Sequence, residues 1–304
     1  MENTQRILIT GGTGAMGSVL MERLMGLGYR VRALTLPGDP NAARFAERGI
    51  DVRYGNVADA GQCRGLCDGV HAVLHLAAII ITPDESLYTS VNAGGTRNMV
   101  REAERAGVSH FIHVSSASVL YPRPTPYSIS KRLAEECVRK SHLSWTIVRP
   151  TLVYGKKGGQ EFDIFLDYLK RFPVVPFIGR GEALKRPVYV DDVVDGLVTL
   201  ATRPEGTGKV YNFSGGTAIS IRDFARLCLV LSGSAHKPMV RLPLCLCLAL
   251  AAILKRAMRD PPLKWSVIAG ITQDANLDPS GAMADLNYSP AGVETMLPRC
   301  FPRA

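Results

Sequence analysis

Short apolar runs alternate with longer helical patterns through the first half of the chain. The segments 6–10, 30–35, 51–54, 70–76, 110–115 and 144–149 are brief and apolar or β-branched, and read as strands. Between them, 14–27, 88–106 and 127–140 carry helical patterns. Strands alternating with helices predict an α/β fold, a doubly wound parallel sheet with helices on both faces. Crossovers in such a sheet are right-handed, and ligands sit beyond the carboxyl ends of its strands, near the switch in strand order. Beyond Pro150 the regularity weakens, with loops at 156–160 and 179–186 and proline-bearing segments after Lys237. No internal repeat or low-complexity linker interrupts the chain. Residues 1–150, with returning segments from about 185–215, are therefore predicted as the first domain, and 151–304 as mainly a smaller lobe packed on it.

The first strand runs directly into Thr10-Gly-Gly-Thr-Gly-Ala-Met-Gly17, which sets Gly11, Gly14 and Gly17 at the start of a helix. Glycines there permit a tight turn, let the backbone approach a pyrophosphate and allow the helix to pack close to the strand. The helix N-terminus adds amide donors. The pattern predicts a dinucleotide site in a Rossmann-type domain. The residue that grips the adenosine ribose normally ends the second strand, here Val31-Arg-Ala-Leu-Thr35-Leu36. A carboxylate at that place favours NAD. Its absence permits NADP, with Arg32 the candidate for the extra phosphate, so the cofactor expectation is NAD(P) with a lean to NADP, although strand alternation can turn Arg30 and Arg32 elsewhere.

In Pro126-Tyr-Ser-Ile-Ser-Lys131, four-residue spacing places Tyr127 and Lys131 on one helix face. Free tyrosine ionises near roughly pH 10, and a cation held close favours the phenolate. Such a pair alone is common on solvated helix faces. Beside the glycine loop it becomes a candidate proton-transfer centre.

A chain of 304 residues with 46% hydrophobic and 21% charged residues is long enough to bury a core without staples. Its seven cysteines form no Cys-x-x-Cys pair and imply neither a disulfide framework nor a zinc site, so no metal is expected. The N-terminus enters the first strand too soon to be a signal peptide, which points to a cytoplasmic protein. The net charge of +9 is scattered, with a loose concentration at Lys156, Lys157, Lys170, Arg171, Arg180, Lys185 and Arg186. Without an aromatic-interleaved basic tract, nucleic acid is disfavoured and an anionic small molecule stays open. The apolar run from Leu244 to Leu254 is too short to span a bilayer. It reads first as a buried or substrate-covering helix. The other reading is an interfacial helix in peripheral membrane contact, its basic end, Lys255, Arg256 and Arg259, among the headgroups.

Together Gly11, Gly14, Gly17, Ser116, Tyr127 and Lys131 resemble the extended short-chain dehydrogenase/reductase family, its NAD-dependent epimerase/dehydratase branch especially. The resemblance covers most of residues 6–215. Further segments fit: Gly55-Asn56-Val57, His75-Leu-Ala-Ala78, Val91-Asn92-Ala-Gly-Gly-Thr96, Val114-Ser-Ser116, Val148-Arg-Pro-Thr-Leu-Val-Tyr-Gly155 and Arg186-Pro-Val-Tyr-Val-Asp-Asp192. Asp285-Leu-Asn-Tyr-Ser-Pro290 is similar to the family's closing Leu-Gly-Tyr-x-Pro turn, with Asn287 in place of glycine. By this resemblance Tyr127 is the acid/base, Lys131 holds the nicotinamide ribose and lowers the tyrosine pKa, and Ser116 hydrogen-bonds the reacting oxygen. The cofactor set is Gly11, Thr13, Gly14, Ala15, Met16, Gly17, Arg32, Asn56, Val57, Leu76, Ala77, Ala78, Asn92, Tyr127, Lys131 and Pro150. His75 is read as a satisfied histidine beside the cofactor loop. The helices 88–106 and 127–140 leave open a homodimer of the kind common in the family.

Absences narrow the reaction. The family's 4,6-dehydratases carry an acidic pair after the catalytic Ser/Thr, whereas Ala117 and Ser118 follow Ser116 here. The resemblance therefore implies interconversion of a hydroxyl and a keto group by an NAD(P)-dependent oxidoreductase or epimerase, first on a nucleoside-diphosphate sugar, with Arg180, Lys185 and Arg186 as candidates for its diphosphate. One alternative is a 3β-hydroxysteroid-dehydrogenase-like enzyme acting on a lipid or sterol ketone, suggested by the run from Leu244. The other is a cofactor-binding scaffold without turnover.

Overall fold

In the computed structural model, which describes residues 5–156, 159–203, 206–258, 261 and 263–301, the chain is built on one parallel sheet. Lys157 and Arg259 lie outside the described residues. Six sheet strands come from the first half: β1 (Arg6–Thr10), β2 (Arg30–Thr35), β3 (Asp51–Tyr54), β4 (Ala72–His75), β5 (His110–Val114) and β6 (Trp145–Pro150). The short strands β7 (Val153–Tyr154), β8 (Val175–Ile178), β9 (Leu184–Lys185) and β10 (Val188–Tyr189) follow, then β11 (Lys209–Phe213), β12 (Ile219–Ser220) and β13 (Met239–Leu242). The sheet order is β11-β6-β5-β4-β1-β2-β3, so the chain leaves β1 in one direction for β2 and β3 and in the other for β4 to β6. That reversal between β1 and β4 opens a crevice beyond their carboxyl ends, where a doubly wound sheet binds its ligand.

The helices of the sheet region are α1 (Ala15–Gly26), α2 (Ala42–Glu47), α3 (Ala60–Cys63), α4 (Gly95–Ala106) and α5 (Pro126–Arg139). Those that follow are α6 (Gln160–Arg171), α7 (Val190–Thr202), α8 (Ile221–Leu231), α9 (Leu244–Ala257), α10 (Trp265–Thr272), α11 (Ser280–Leu286) and α12 (Val293–Met296). Alternate side chains of each central strand feed two cores. Ile7 and Ile9 pack with Leu20, Leu24, Val193 and Leu197 of α1 and α7, while Leu8, Val73 and Phe111 pack with Met99, Ala103 and Val138 of α4 and α5. Both faces are covered, which is why these strands read as apolar runs. Later in the chain, α7 covers one face of the sheet and β11 pairs with β6. A third core gathers around Phe162, Phe177 and Phe224, beyond the sixth strand.

Two departures from the sequence expectation bear on the site. Residues 88–106 are not one regular helix, because Tyr88–Gly94 is a π-helical turn that precedes α4. The wider turn sets Asn92 fully inside, where its amide is used up by neighbours. The closing turn keeps its backbone shape without glycine. Asn287 adopts φ +53°, a left-handed conformation that asparagine tolerates, and lets Tyr288 stack on Phe213 with 4.7 Å between ring centroids.

Candidate active site

A cavity of about 460 Å³ occupies the crevice between the β1 and β4 ends. Gly11, Thr13, Gly14, Ala15, Met16 and Gly17 form its floor, where β1 turns into α1. A Cβ on Gly17 would stand 2.4 Å from the Gly11 carbonyl oxygen, and one on Gly11, at φ +72°, would stand 2.9 Å from the Ala77 nitrogen. Only glycine fits either place. No side chain caps α1, and its first turn contains no acid, so its N-terminal amides are open to an anion. Asn56 and Val57 line one wall, Leu76, Ala77 and Ala78 another, and Pro150 closes the β6 side. At the far end Thr35 is buried with no partner for its hydroxyl, a polar atom awaiting a ligand. This cradle fits a dinucleotide.

The loop after β4 is held by a buried polar chain. The Thr10 hydroxyl bonds His75 Nδ1 at 2.7 Å and accepts from the Ala77 N–H, while His75 Nε2 meets Thr96 Oγ1 at 3.0 Å. Burial and then the charge of Lys131 push the His75 pKa down to about 3, so the ring stays neutral and structural, as its sequence context predicts. Asn92 stands behind the cavity wall rather than in it. It accepts from the Ile79 N–H at 2.8 Å and donates to the Ile79 carbonyl and to Ser130 Oγ, fastening the wall to α5.

Ser116, Tyr127 and Lys131 converge on this cavity. Pro126 at the first helical position and a reciprocal Thr125–Ser128 capping box fix the start of α5 and hence the place of Tyr127. The Ser116 hydroxyl lies 2.9 Å from that of Ser118, a neighbour the sequence reading passed over. Lys131 is buried and donates to the Val114 carbonyl at 2.7 Å. Burial pushes its pKa down to about 8, with Glu135 pulling the other way. Burial also raises the Tyr127 phenol above its ordinary value; the charge of Glu161 adds to this and a hydrogen bond with Ser116 opposes it. The expected lowering by Lys131 is not among these influences. Glu135 braces α5 from behind: it accepts from Arg149 at 2.8 and 2.6 Å and from Ser115 at 2.7 Å.

The structure separates four further predicted residues from the cavity besides Asn92. Arg32 points through the other side of β2, donating to Asp51 at 2.7 Å and to the carbonyls of Leu66 and Asp68. Strand alternation turns it away, so Arg32 lends no support to the lean to NADP. Lys185 is buried over the Tyr121 ring and donates to the Gln273 carbonyl. Arg186 is tied to Asn276 at 2.7 Å and near the Gly215 and Gly216 carbonyls. Arg180 is exposed and lines no part of the cavity. Two acids that the sequence reading missed do line it. Asp39 lies beside Thr35 and Leu36, and Glu161 opens α6 on the side of Ser116 and Tyr127. Glu161 keeps solvent access, yet protein encloses its carboxyl and raises its pKa against the pull of Lys185. An acid in a Pro-Gly-Asp-Pro turn reads as turn chemistry, and one in a first helical turn as dipole compensation. Neither carried a sequence signal of its own.

The model of the NAD dependent epimerase/dehydratase family matches residues 7–214. A 3 beta-hydroxysteroid dehydrogenase/Delta 5-->4-isomerase of Mycobacterium tuberculosis is 28% identical over 75% of this chain and 70% of its own. A dTDP-glucose 4,6-dehydratase of Streptomyces griseus is 29% identical over 76% and 80%. The crystal structure of DesIV, a dTDP-glucose 4,6-dehydratase from Streptomyces venezuelae with NAD bound, superposes with a TM-score of 0.78 at 23% identity, covering 97% of this chain and 95% of that one. Its likeness concerns the fold.

Proposed function

This chain is an enzyme that belongs to the NAD dependent epimerase/dehydratase family, and on that premise we propose that it interconverts a hydroxyl and a keto group on an apolar, uncharged substrate of sterol or lipid type. The observation that carries this reading is the lining of the cavity around Tyr127. Ile79, Ile80, Val91 and Val153 form its walls, and among the described residues Lys131 is its one cation. A diphosphate buried there would need positive partners, whereas Arg180, Lys185 and Arg186 stand outside and Glu161 adds negative charge. The likeness to a hydroxysteroid dehydrogenase supports the same substrate class.

NAD, when bound, supplies the hydride acceptor or donor. Tyr127 exchanges a proton with the substrate oxygen, and Ser116, oriented by Ser118, hydrogen-bonds that oxygen. Lys131, fixed by the Val114 carbonyl, presents its remaining N–H groups to the ribose. Asp39 takes the role of the acid missing from the end of β2 and favours NAD over NADP. Ala117 and Ser118 supply no acid or base of their own after Ser116 for elimination of water. A homodimer across α4 and α5 is part of the proposal, because Ile129 and Leu133 on α5 are 45% and 42% exposed.

The second reading is a nucleoside-diphosphate sugar, favoured by the dTDP-glucose 4,6-dehydratase relative. Thermal melting of the NAD-loaded protein separates the two. Hydroxysteroids and long-chain keto lipids are expected to raise the melting temperature, and UDP-, GDP- and dTDP-sugars to leave it unchanged. A shift with any of these sugars and none with the apolar panel would replace the first reading by the second.

A further inference from the structure

Helix α9 is apolar or cysteine at every position from Leu244 to Leu254, yet Cys247 is its one buried residue. Its inner side meets Ile178 and Ile268 through Cys247, Leu248 and Ala251. Its outer side carries Leu246, Leu250 and Ile253, spaced four and three residues apart and 58%, 45% and 64% exposed. Side chains at that spacing form one continuous stripe. A stripe of large apolar groups in water marks a surface that something covers.

The charge around it says what. The described residues of 237–273 include the cations Arg241, Lys255, Arg256 and Lys264 and no acid, while Lys237 is engaged by the Leu169 and Lys170 carbonyls. Lys255 and Arg256 stand in the last turn of α9 itself. A second copy of this face would bring no carboxylate on α9 to meet them, whereas an anionic bilayer offers acyl chains to the stripe and phosphates to the cations. At 14 residues α9 is about 21 Å long, and among the described residues no helix is long and apolar enough to cross a membrane. It would lie along the surface. We propose that the outer face of α9 seats this protein on an anionic lipid bilayer.

The seat is coupled by packing to the catalytic helix. α10, which packs on α9, donates from Trp265 Nε1 to the Pro124 carbonyl at 3.2 Å. Just after it, the Gln273 side chain clasps Arg123, accepting its N–H at 2.8 Å and donating to its carbonyl at 2.9 Å. Both grips fall on the segment that leads into Tyr127, so a bilayer under α9 lies against the lobe that positions α5. The inference adds a partner to the apolar-substrate reading but does not depend on it, since docking requires no turnover.

The test is co-sedimentation of the full NAD-loaded chain with vesicles of phosphatidylcholine alone and of phosphatidylcholine mixed with phosphatidylglycerol. Partition into the anionic vesicles, weakened by added salt, is expected. The triple variant Leu246→Gln, Leu250→Gln, Ile253→Gln should lose about tenfold or more of it, and Lys255→Gln with Arg256→Gln several-fold. NAD affinity and melting temperature of the triple variant should stay at wild-type values, because those side chains face outward. No partition by wild type, or equal partition by the triple variant, overturns the proposal. So does a wild-type dimer that the triple variant dissociates without vesicle binding, which would assign the face to a second copy. A lowered melting temperature in the triple variant would count the same way, by showing the stripe to be packed.

Discussion

Lys131 sits where burial works against its charge. A lysine lowered to about 8 carries its proton below that pH and sheds it above. If the charged form contacts the cofactor, NAD affinity should be full below pH 8 and fall as pH rises through it, which a fluorescence titration at several pH values measures. Lys131→Met should bind more weakly and flatten that dependence. Folding stability runs the other way. The unfolded lysine holds its proton to higher pH than the folded one, so the penalty for burying it is present below pH 8 and is relieved between there and the ordinary lysine value. Asp39 governs the opposite end of the cavity. Asp39→Asn should reduce the preference for NAD over NADP by about tenfold, a loss of roughly 1.4 kcal/mol in discrimination, read from the two dissociation constants. An unchanged ratio would remove Asp39 from the ribose.

The helix α5 is held at two places along its length. Its start is set by Pro126 and the Thr125–Ser128 box, and its middle by the Glu135–Arg149 pair, whose side chains are 6% and 17% exposed. Removing one partner of a pair so enclosed strands the other, at a cost of about 3–5 kcal/mol. Glu135→Ala should show that loss in denaturant unfolding, with Arg149 left unpaired beneath the site. Burial raises the Glu135 carboxyl, but hydrogen bonds from Arg149 and Ser115 outweigh it and hold the pKa below its ordinary value. The folded state therefore gains stability above the usual glutamate range and loses it as pH falls through the lowered value. The variant should consequently show a shallower acid limb than wild type.

The whole molecule divides into a part the sequence could specify and a part it could not. β1, β2 and β3 were legible residue for residue, β1 and β2 because a strand buried on both faces writes its burial into consecutive positions, whereas β3 is an edge strand of partly exposed residues. The structure gathers the glycine loop, Ser116, Tyr127 and Lys131 on one cavity; turn and helix spacing marked the loop and the last two, whereas Ser116 came from the resemblance to the family. Arg32 points away from the cavity because alternation along β2 sets its face, an outcome the sequence allowed but could not decide, and the π-turn at Tyr88–Gly94 escaped because one wider turn ahead of a regular helix leaves no residue signature of its own. Asp39, Glu161 and the placement of Lys185 depend on how loops and lobe close over the sheet, a long-range outcome with no local signature.

The central claim, that Tyr127 serves hydride transfer between NAD and an apolar hydroxyl or ketone, is tested most directly by following a label. Wild-type protein and Tyr127→Phe would each be incubated with NADH deuterated at the transferring carbon and a panel of sterol and lipid ketones, and the products weighed by mass spectrometry. The account predicts deuterium on the carbinol carbon of an apolar product from wild type. Tyr127→Phe should transfer it at least about a hundredfold more slowly while binding NADH nearly as well. Equal transfer by the variant, or transfer by wild type to nucleotide-linked keto sugars and to none of the apolar ketones, would contradict it.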